Sequence, residues 1–308
     1  MTDAVLLMAY GSPDRLDQVE AYYTDIRRGS PPPPHLLAEL VERYRAIGGG
    51  SPLSRIVERQ RAALERELAT RGRPRPVYAG MKHIAPFIRD VVGRMADDGV
   101  RHAVAIALAP QASAMSSSTY RRAVEVAAAE LGDRAPAFAI IDSWHDQARF
   151  IEALAARTAE AIARTGVAQP FVLFTAHSLP ARIVAAGDPY PGQLAETARL
   201  VSDRLGLARY GFAYQSAGRT DEAWLGPDLR DEIRRLAADG VRDVVVCAVG
   251  FVADHLEVLY DIDIEAAAVA REAGVRLERA PTMNDDPTFI AGLADLVEAA
   301  TRESVAAR

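Results

Sequence analysis

Short apolar runs alternate with longer amphipathic stretches from one end of the chain to the other, and few folds accommodate that pattern. The strand candidates are Ala4–Ala9, Pro76–Gly80, Ala103–Ala109, Ala137–Ile141, Phe171–Thr175, Gly211–Tyr214, Val244–Gly250 and a weaker run at Val275–Glu278. They are almost continuously apolar, as strands covered on both faces must be. Between them, stretches such as Leu53–Ala69, Phe87–Ala96, Ser117–Leu131 and Phe150–Arg164 repeat apolar residues at intervals of three and four, with charge on the other face. Strand and helix in alternation, without hairpin signals, predict an α/β fold of parallel sheets flanked by helices.

The chain also echoes itself. Asp98-Gly99-Val100-Arg101 leads into one strand and Asp239-Gly240-Val241-Arg242 into another, each glycine placed as a helix C-cap. Ala9-Tyr10-Gly11-Ser12-Pro13 and Ala176-His177-Ser178-Leu179-Pro180 each close a strand. Two similar α/β halves are expected, residues 1–145 and 146–308. From Ala9 to Gly99 is 90 residues and from Ala176 to Gly240 is 64, so the first half carries about 26 more. The expected insertion is about residues 30–52, with Pro31–Pro34 as a stiff spacer, a short helix and Gly48–Gly50. Placed after the first strand, it lies on the side where open α/β sheets bind ligands.

Composition narrows the class. Of 308 residues, 49% are hydrophobic and 25% charged, the profile of a soluble globular protein. A net charge of −6 speaks against coating nucleic acid or anionic lipid. The longest apolar run, Val244–Ala253, is too short to cross a bilayer, so no transmembrane segment is expected. Met1-Thr2-Asp3 opens directly onto a strand without the features of a secretion signal. The single cysteine, Cys247, rules out an intrachain disulfide and a Cys-ligated iron–sulfur cluster. A cytoplasmic location is expected.

The most informative stretch is His255-Leu256-Glu257-Val258-Leu259-Tyr260-Asp261-Ile262-Asp263-Ile264-Glu265. On an α-helix, Glu257, Asp261 and Glu265 stack on one face, where like charges repel, and no basic residue follows until Arg271. A line of carboxylates suits a divalent cation that is passed along; an acidic solvent face is the alternative. His177 stands at a strand's C-terminal end, where a neutral imidazole takes a proton or binds a metal, unless a backbone hydrogen bond simply satisfies it. Tyr10 and His83 occupy comparable strand-end positions. Arg27, Arg28 and Arg43 lie around the insertion and suit a carboxylate-bearing ligand, solvated surface arginines being the alternative. The glycine-rich nucleotide loops and the Gly-x-Ser-x-Gly elbow are absent.

Several motifs carry a resemblance. Met8-Ala9-Tyr10-Gly11-Ser12-Pro13, Tyr22–Gly29, Arg43–Gly49, Gly80-Met81-Lys82-His83, Ala176-His177-Ser178-Leu179-Pro180, Asp188-Pro189-Tyr190-Pro191, Trp224-Leu225-Gly226-Pro227 and Gly250–Asp261 follow one another as in the ferrochelatase family. Tyr10 makes the chain resemble the coproporphyrin ferrochelatases of Gram-positive-type haem synthesis. The resemblance implies two Rossmann-like domains with a porphyrin cleft between the insertion and the sheet ends, and a metal-inserting lyase. It implies that His177 and Glu257 form the iron-side pair, and that Tyr10 approaches the metal from the opposite face. It further implies that Tyr10, Arg27, Arg43, Tyr44, Ser51 and Tyr120 hold the macrocycle and its propionates. Asp261 and Glu265 are read as a delivery ladder for the metal.

The expected reaction places ferrous iron, a substrate, into coproporphyrin III in haem biosynthesis, with neutral His177 as general base or first metal contact and Glu257 holding the cation. No organic cofactor is required. A monomer with transient haem-pathway partners is expected. The rivals are a chelatase for protoporphyrin IX, one that loads cobalt or nickel into another tetrapyrrole, and a non-enzymatic porphyrin or haem carrier. Gln111 departs from the family's common Ala-Pro-His-x-Ser, which puts any role of that imidazole in doubt here.

Overall fold

A computed structural model describes residues 4–306, which fall into two compact units. Met1–Asp3, on which the expectation of a chain without a secretion signal rests, lie outside the described residues. The first unit runs to Pro110 and takes in Ala114–Trp144 and the chain from Asn284 onward; the second comprises Gln111–Ser113 and His145–Met283.

In the first unit, β1 (Ala4–Ala9) is followed by α1 (Val19–Ile26), α2 (Pro34–Ala46) and α3 (Leu53–Thr70) before β2 (Val77–Met81). Then come α4 (Ile88–Asp97), β3 (His102–Ala107), α5 (Ser117–Leu131) and β4 (Ala137–Ile141). The strands form a parallel sheet in the order β2-β1-β3-β4, with Leu7 paired to Ala79 on one side and Ile106 on the other. Every residue of β1 is buried, which is why its sequence lacks polar alternation. One face of the sheet packs Leu6, Met8 and Ala105 against Ile88, Val92 and Met95 of α4 and Val124 of α5.

The second unit contains α6 (Ala148–Thr165), β5 (Phe171–His177), α7 (Arg182–Ala185), α8 (Tyr190–Leu205), β6 (Tyr210–Gln215) and α9 (Leu229–Ala238). It continues with β7 (Asp243–Cys247), α10 (Leu256–Leu259), a π-helical segment (Asp261–Ala266), α11 (Ala267–Glu272) and β8 (Arg276–Arg279). Its sheet order, β6-β5-β7-β8, is that of the first unit and is again all parallel. The repeat read from short motifs is therefore a repeat of topology.

Two expectations are revised. Residues 284–308 do not belong with the half that begins at 146. The last helix, α12 (Pro287–Ala306), buries Phe289, Ile290, Leu293 and Val297 and packs on α3, β3 and β4 of the first unit. Arg71 of α3 pins it, reaching Asp295 at 2.7 Å and the Ala291 carbonyl at 3.1 Å. The inserted material is also longer than residues 30–52. Residues 10–52, with α1 packed on α2, precede α3, whereas only residues 178–189 precede the corresponding α8. Pro33 is extended and Pro34 opens α2, where a missing amide hydrogen costs nothing.

In each unit the chain steps outward from the second strand of the sheet order (β1 to β2, β5 to β6) and then crosses back to its other side (β3, β7), so the winding reverses beside β1 and β5. The carboxyl ends of these strands border the switch point, where ligands of open α/β sheets bind. Tyr10 follows β1 directly, and His177 is the last residue of β5. The turn after β7 closes tightly over β5: a Cβ on Gly250 would lie 2.6 Å from the Ala176 Cβ. Gly250→Ala is expected to lower stability by about 1–3 kcal/mol through overpacking, measured by guanidinium unfolding. An unchanged midpoint would show that the turn has room to move.

Candidate active site

The acidic segment of the second unit sits at the carboxyl ends of its strands. Glu257, in the first turn of α10, lies between two imidazoles: its Oε1 is 3.5 Å from His177 Nε2 and its Oε2 is 3.4 Å from His255 Nε2. Each imidazole is oriented through its other nitrogen. His177 Nδ1 donates to the Ser178 carbonyl, and His255 Nδ1 donates to the Ala253 carbonyl at 2.9 Å. A carbonyl only accepts, so each Nδ1 carries hydrogen, and an Nε2 that also donates to Glu257 makes the ring an imidazolium.

Charge agrees with geometry. Burial pulls the His177 pKa down, but Glu257 outweighs it and raises the value to about 9. Burial pushes the Glu257 carboxyl up, yet His177 and His255 hold it well below the ordinary range. The expectation of a neutral His177 is corrected: without a metal ion beside it, this imidazole is protonated at neutral pH.

The stacked ladder is also revised. Residues 261–266 form a π turn, in which the Tyr260 carbonyl accepts from the amides of both Ile264 (3.1 Å) and Glu265 (2.9 Å). The wider turn breaks the i, i+4 alignment. Asp261 is buried and accepts from the Ser216 hydroxyl, while Glu265 stays partly exposed, 3.8 Å from Arg230. Asp263 receives a bidentate Arg279 at 2.6 and 3.0 Å, and the same guanidinium reaches Asp254 at 3.3 Å. Gln215 donates to the Glu257 carbonyl at 2.6 Å. Among the described residues, no group of three or more His, Cys, Asp or Glu side chains is placed to hold a metal ion.

Gln111 is buried in the second unit, its amide 3.3 Å from both Thr197 Oγ1 and the Val249 carbonyl. In place of the family's common imidazole it donates to α8 and to the turn after β7. Five contacts of the acidic segment escaped the sequence reading: His255, Gln215, Ser216, Arg230 and Arg279. His255 lies within the quoted motif, two residues from Glu257; the others are remote in the chain, without a local signal.

In the first unit Tyr10 is 41% exposed, whereas most strand-end neighbours are covered. The Lys82 ammonium lies 5.5 Å from its ring centre and 5.9 Å from that of Tyr120. His83 packs 4.5 Å from Tyr10 and bonds Asp25 at 2.7 Å. These residues meet because the chain after β2 stays paired with that after β1, Lys82 N to Ala9 O and His83 N to Tyr10 O. Burial lowers the Lys82 pKa. Arg27 caps α1 and lies over Tyr23, and Arg43 is 3.6 Å from Glu39. Tyr44 is 1% exposed, its hydroxyl 2.8 Å from Ser12 Oγ, and Ser51 is equally buried, accepting from the Leu53 amide at 3.2 Å. Tyr120 is buried too. Tyr44 and Ser51 thus anchor the inserted segment to Ser12 and Pro13.

The ferrochelatase family profile matches residues 2–301. The chain belongs to the ferrochelatase family. This ferrochelatase is 45% identical to the ferrochelatase of Deinococcus radiodurans over 305 residues, covering 96% of this chain and 94% of that one. It is also 45% identical to the coproporphyrin III ferrochelatase of Geobacillus kaustophilus over 306 residues, covering 96% and 95%. The solved structure of SirB from Bacillus subtilis with Fe3+ shares the fold, with a TM-score of 0.62 at 13% identity over 99% of this chain and 98% of that one. No described helix of this ferrochelatase is long and apolar enough to cross a membrane.

The imidazole–carboxylate contact makes a direct prediction. In NMR titration the His177 ring should have its midpoint near 9. In Glu257→Gln the largest raising charge is gone while burial remains, so the midpoint should fall well below that of the native protein. A midpoint unmoved by that substitution would mean that Glu257 does not hold the proton on His177.

Proposed function

We propose that this ferrochelatase inserts ferrous iron into coproporphyrin III, with His177 and Glu257 serving the metal and proton steps and Tyr10 meeting the iron of the product. The exposed Tyr10 phenol carries the substrate assignment. A packing tyrosine is covered, as Tyr44 of α2 is, whereas Tyr10 is displayed beside Lys82. A phenolate is a hard ligand suited to ferric iron and a poor one for ferrous iron, so its role falls on the oxidised product. Several relatives, among them those from Geobacillus, carry the name coproporphyrin III ferrochelatase.

Insertion requires two pyrrole protons to leave as the cation enters. Fe2+ arriving at Glu257 cancels the charge that keeps His177 protonated. Burial and the incoming cation then disfavour the imidazolium, which releases its proton to solvent, and the neutral ring can accept a pyrrole proton. Asp261 and Glu265 supply negative charge on the metal's approach. Arg27 and Arg43 take propionates, and the binding energy of these remote groups offsets the cost of bending the ring.

The test is anaerobic insertion of Fe2+ into coproporphyrin III and protoporphyrin IX, following loss of the free-base spectrum, for the native enzyme and Tyr10→Phe. The native enzyme should prefer coproporphyrin III by about tenfold or more in kcat/KM, one to two extra charge-assisted contacts being sufficient. Tyr10→Phe should keep most of the insertion rate but lose the phenolate-to-iron charge-transfer band of the ferric product. Equal use of both porphyrins, with an unchanged ferric spectrum in the mutant, would return Tyr10 to a packing role and remove the preference.

A further inference from the structure

We propose that Ser216 is a positioning residue for the metal-side carboxylate Asp261, fixing where that carboxylate stands relative to Glu257. The inference deepens the proposed function, because it rests on reading Glu257 and Asp261 as the metal-side carboxylates.

Ser216 follows the last residue of β6 and has φ = +60°, a left-handed conformation that glycine adopts freely, asparagine tolerates and serine seldom takes. Such strain persists where surrounding contacts over-determine it, and here they do. The preceding Gln215 is 2% exposed and in register with His177 of β5, and its side-chain amide is fixed to the Glu257 carbonyl at 2.6 Å. Tyr214 is held by the Pro227 carbonyl at 2.8 Å. The left-handed turn then directs the Ser216 hydroxyl to Asp261 Oδ2.

The chemistry of the donor matters as much as its place. Asp263 receives the full positive charge of Arg279, and Glu265 lies near that of Arg230. Ser216 instead contributes a hydroxyl donor, which restrains the Asp261 carboxylate without adding a cation of its own. A guanidinium there would compete with a dication; a hydroxyl would not. Gln215 and Ser216 together tie the backbone of Glu257 and the side chain of Asp261 to one strand end, across the junction where α10 gives way to the π turn.

Two substitutions separate this role from simple relief of strain. Ser216→Gly removes the hydroxyl and accepts the left-handed conformation. Ser216→Asn also tolerates that conformation but keeps an N–H donor. With coproporphyrin III saturating and Fe2+ varied anaerobically, Ser216→Gly should raise the KM for iron roughly tenfold, the loss expected for a hydrogen bond to a charged group. Its porphyrin KM should stay unchanged, and its guanidinium midpoint should be equal to or above that of the native enzyme. Ser216→Asn should return the iron KM to within about threefold of native. In an Asp261→Asn background, Ser216→Gly should add nothing. A native iron KM in Ser216→Gly, beside a raised one in Asp261→Asn, would overturn the role of Ser216 alone. An unchanged iron KM in Asp261→Asn would overturn the metal-side reading and the proposal together.

Discussion

Glu257, Asp261, Asp263 and Glu265 stand within nine residues of one another, and a helical segment so charged repels itself unless other elements supply what it lacks. Its own sequence has no base before Arg271, so the fold brings compensation from elsewhere. Arg279 at the end of β8 takes Asp263 and Asp254, Arg230 of α9 approaches Glu265, two imidazoles flank Glu257, and a hydroxyl meets Asp261. The segment departs from α-helical geometry at this place, and the π turn separates carboxylates that an α-helix would stack. The graded compensation leaves a chain of negative groups in different states of neutralisation.

The same four-stranded frame occurs in both units with different chemistry at the end of its central strand. After β1 stands a displayed phenol among rings and a half-buried ammonium; at the end of β5 stands an imidazole locked to a carboxylate. Fold and topology are duplicated, and the residues that bear function are not. The connection between β1 and α3, with α1 and α2, is much longer than that between β5 and α8, whereas the second unit gathers its charged residues after β7.

Legibility in the sequence followed locality. β1 and β4 were readable to the residue because each run's ends coincide with the ends of its apolar character, and α5 likewise. Tyr10, His177 and Glu257 stood out because strand ends and a cation-free acidic helix are local signals. The π turn was not readable, since it depends on Gln215 and Ser216, some forty residues upstream. Neither was the protonation of His177, which a neighbour 80 residues away in sequence decides. The burial of Tyr44 and Ser51 came from contacts with Ser12 and Pro13 across the inserted segment. The place of α12 came from an ion pair and an apolar face whose partners lie at the other end of the chain.

The central claim is that the charge of Glu257 keeps a proton on His177 until a dication arrives. Isothermal titration calorimetry of the porphyrin-free protein with Co2+, repeated at pH 7.5 in buffers of different ionisation enthalpy, counts the protons released on metal binding. The account predicts proton release on metal binding, with about one proton fewer per ion in His177→Ala than in the native protein, any remainder coming from His255, whose pKa Glu257 also raises. Metal binding with no proton release in the native protein would contradict it.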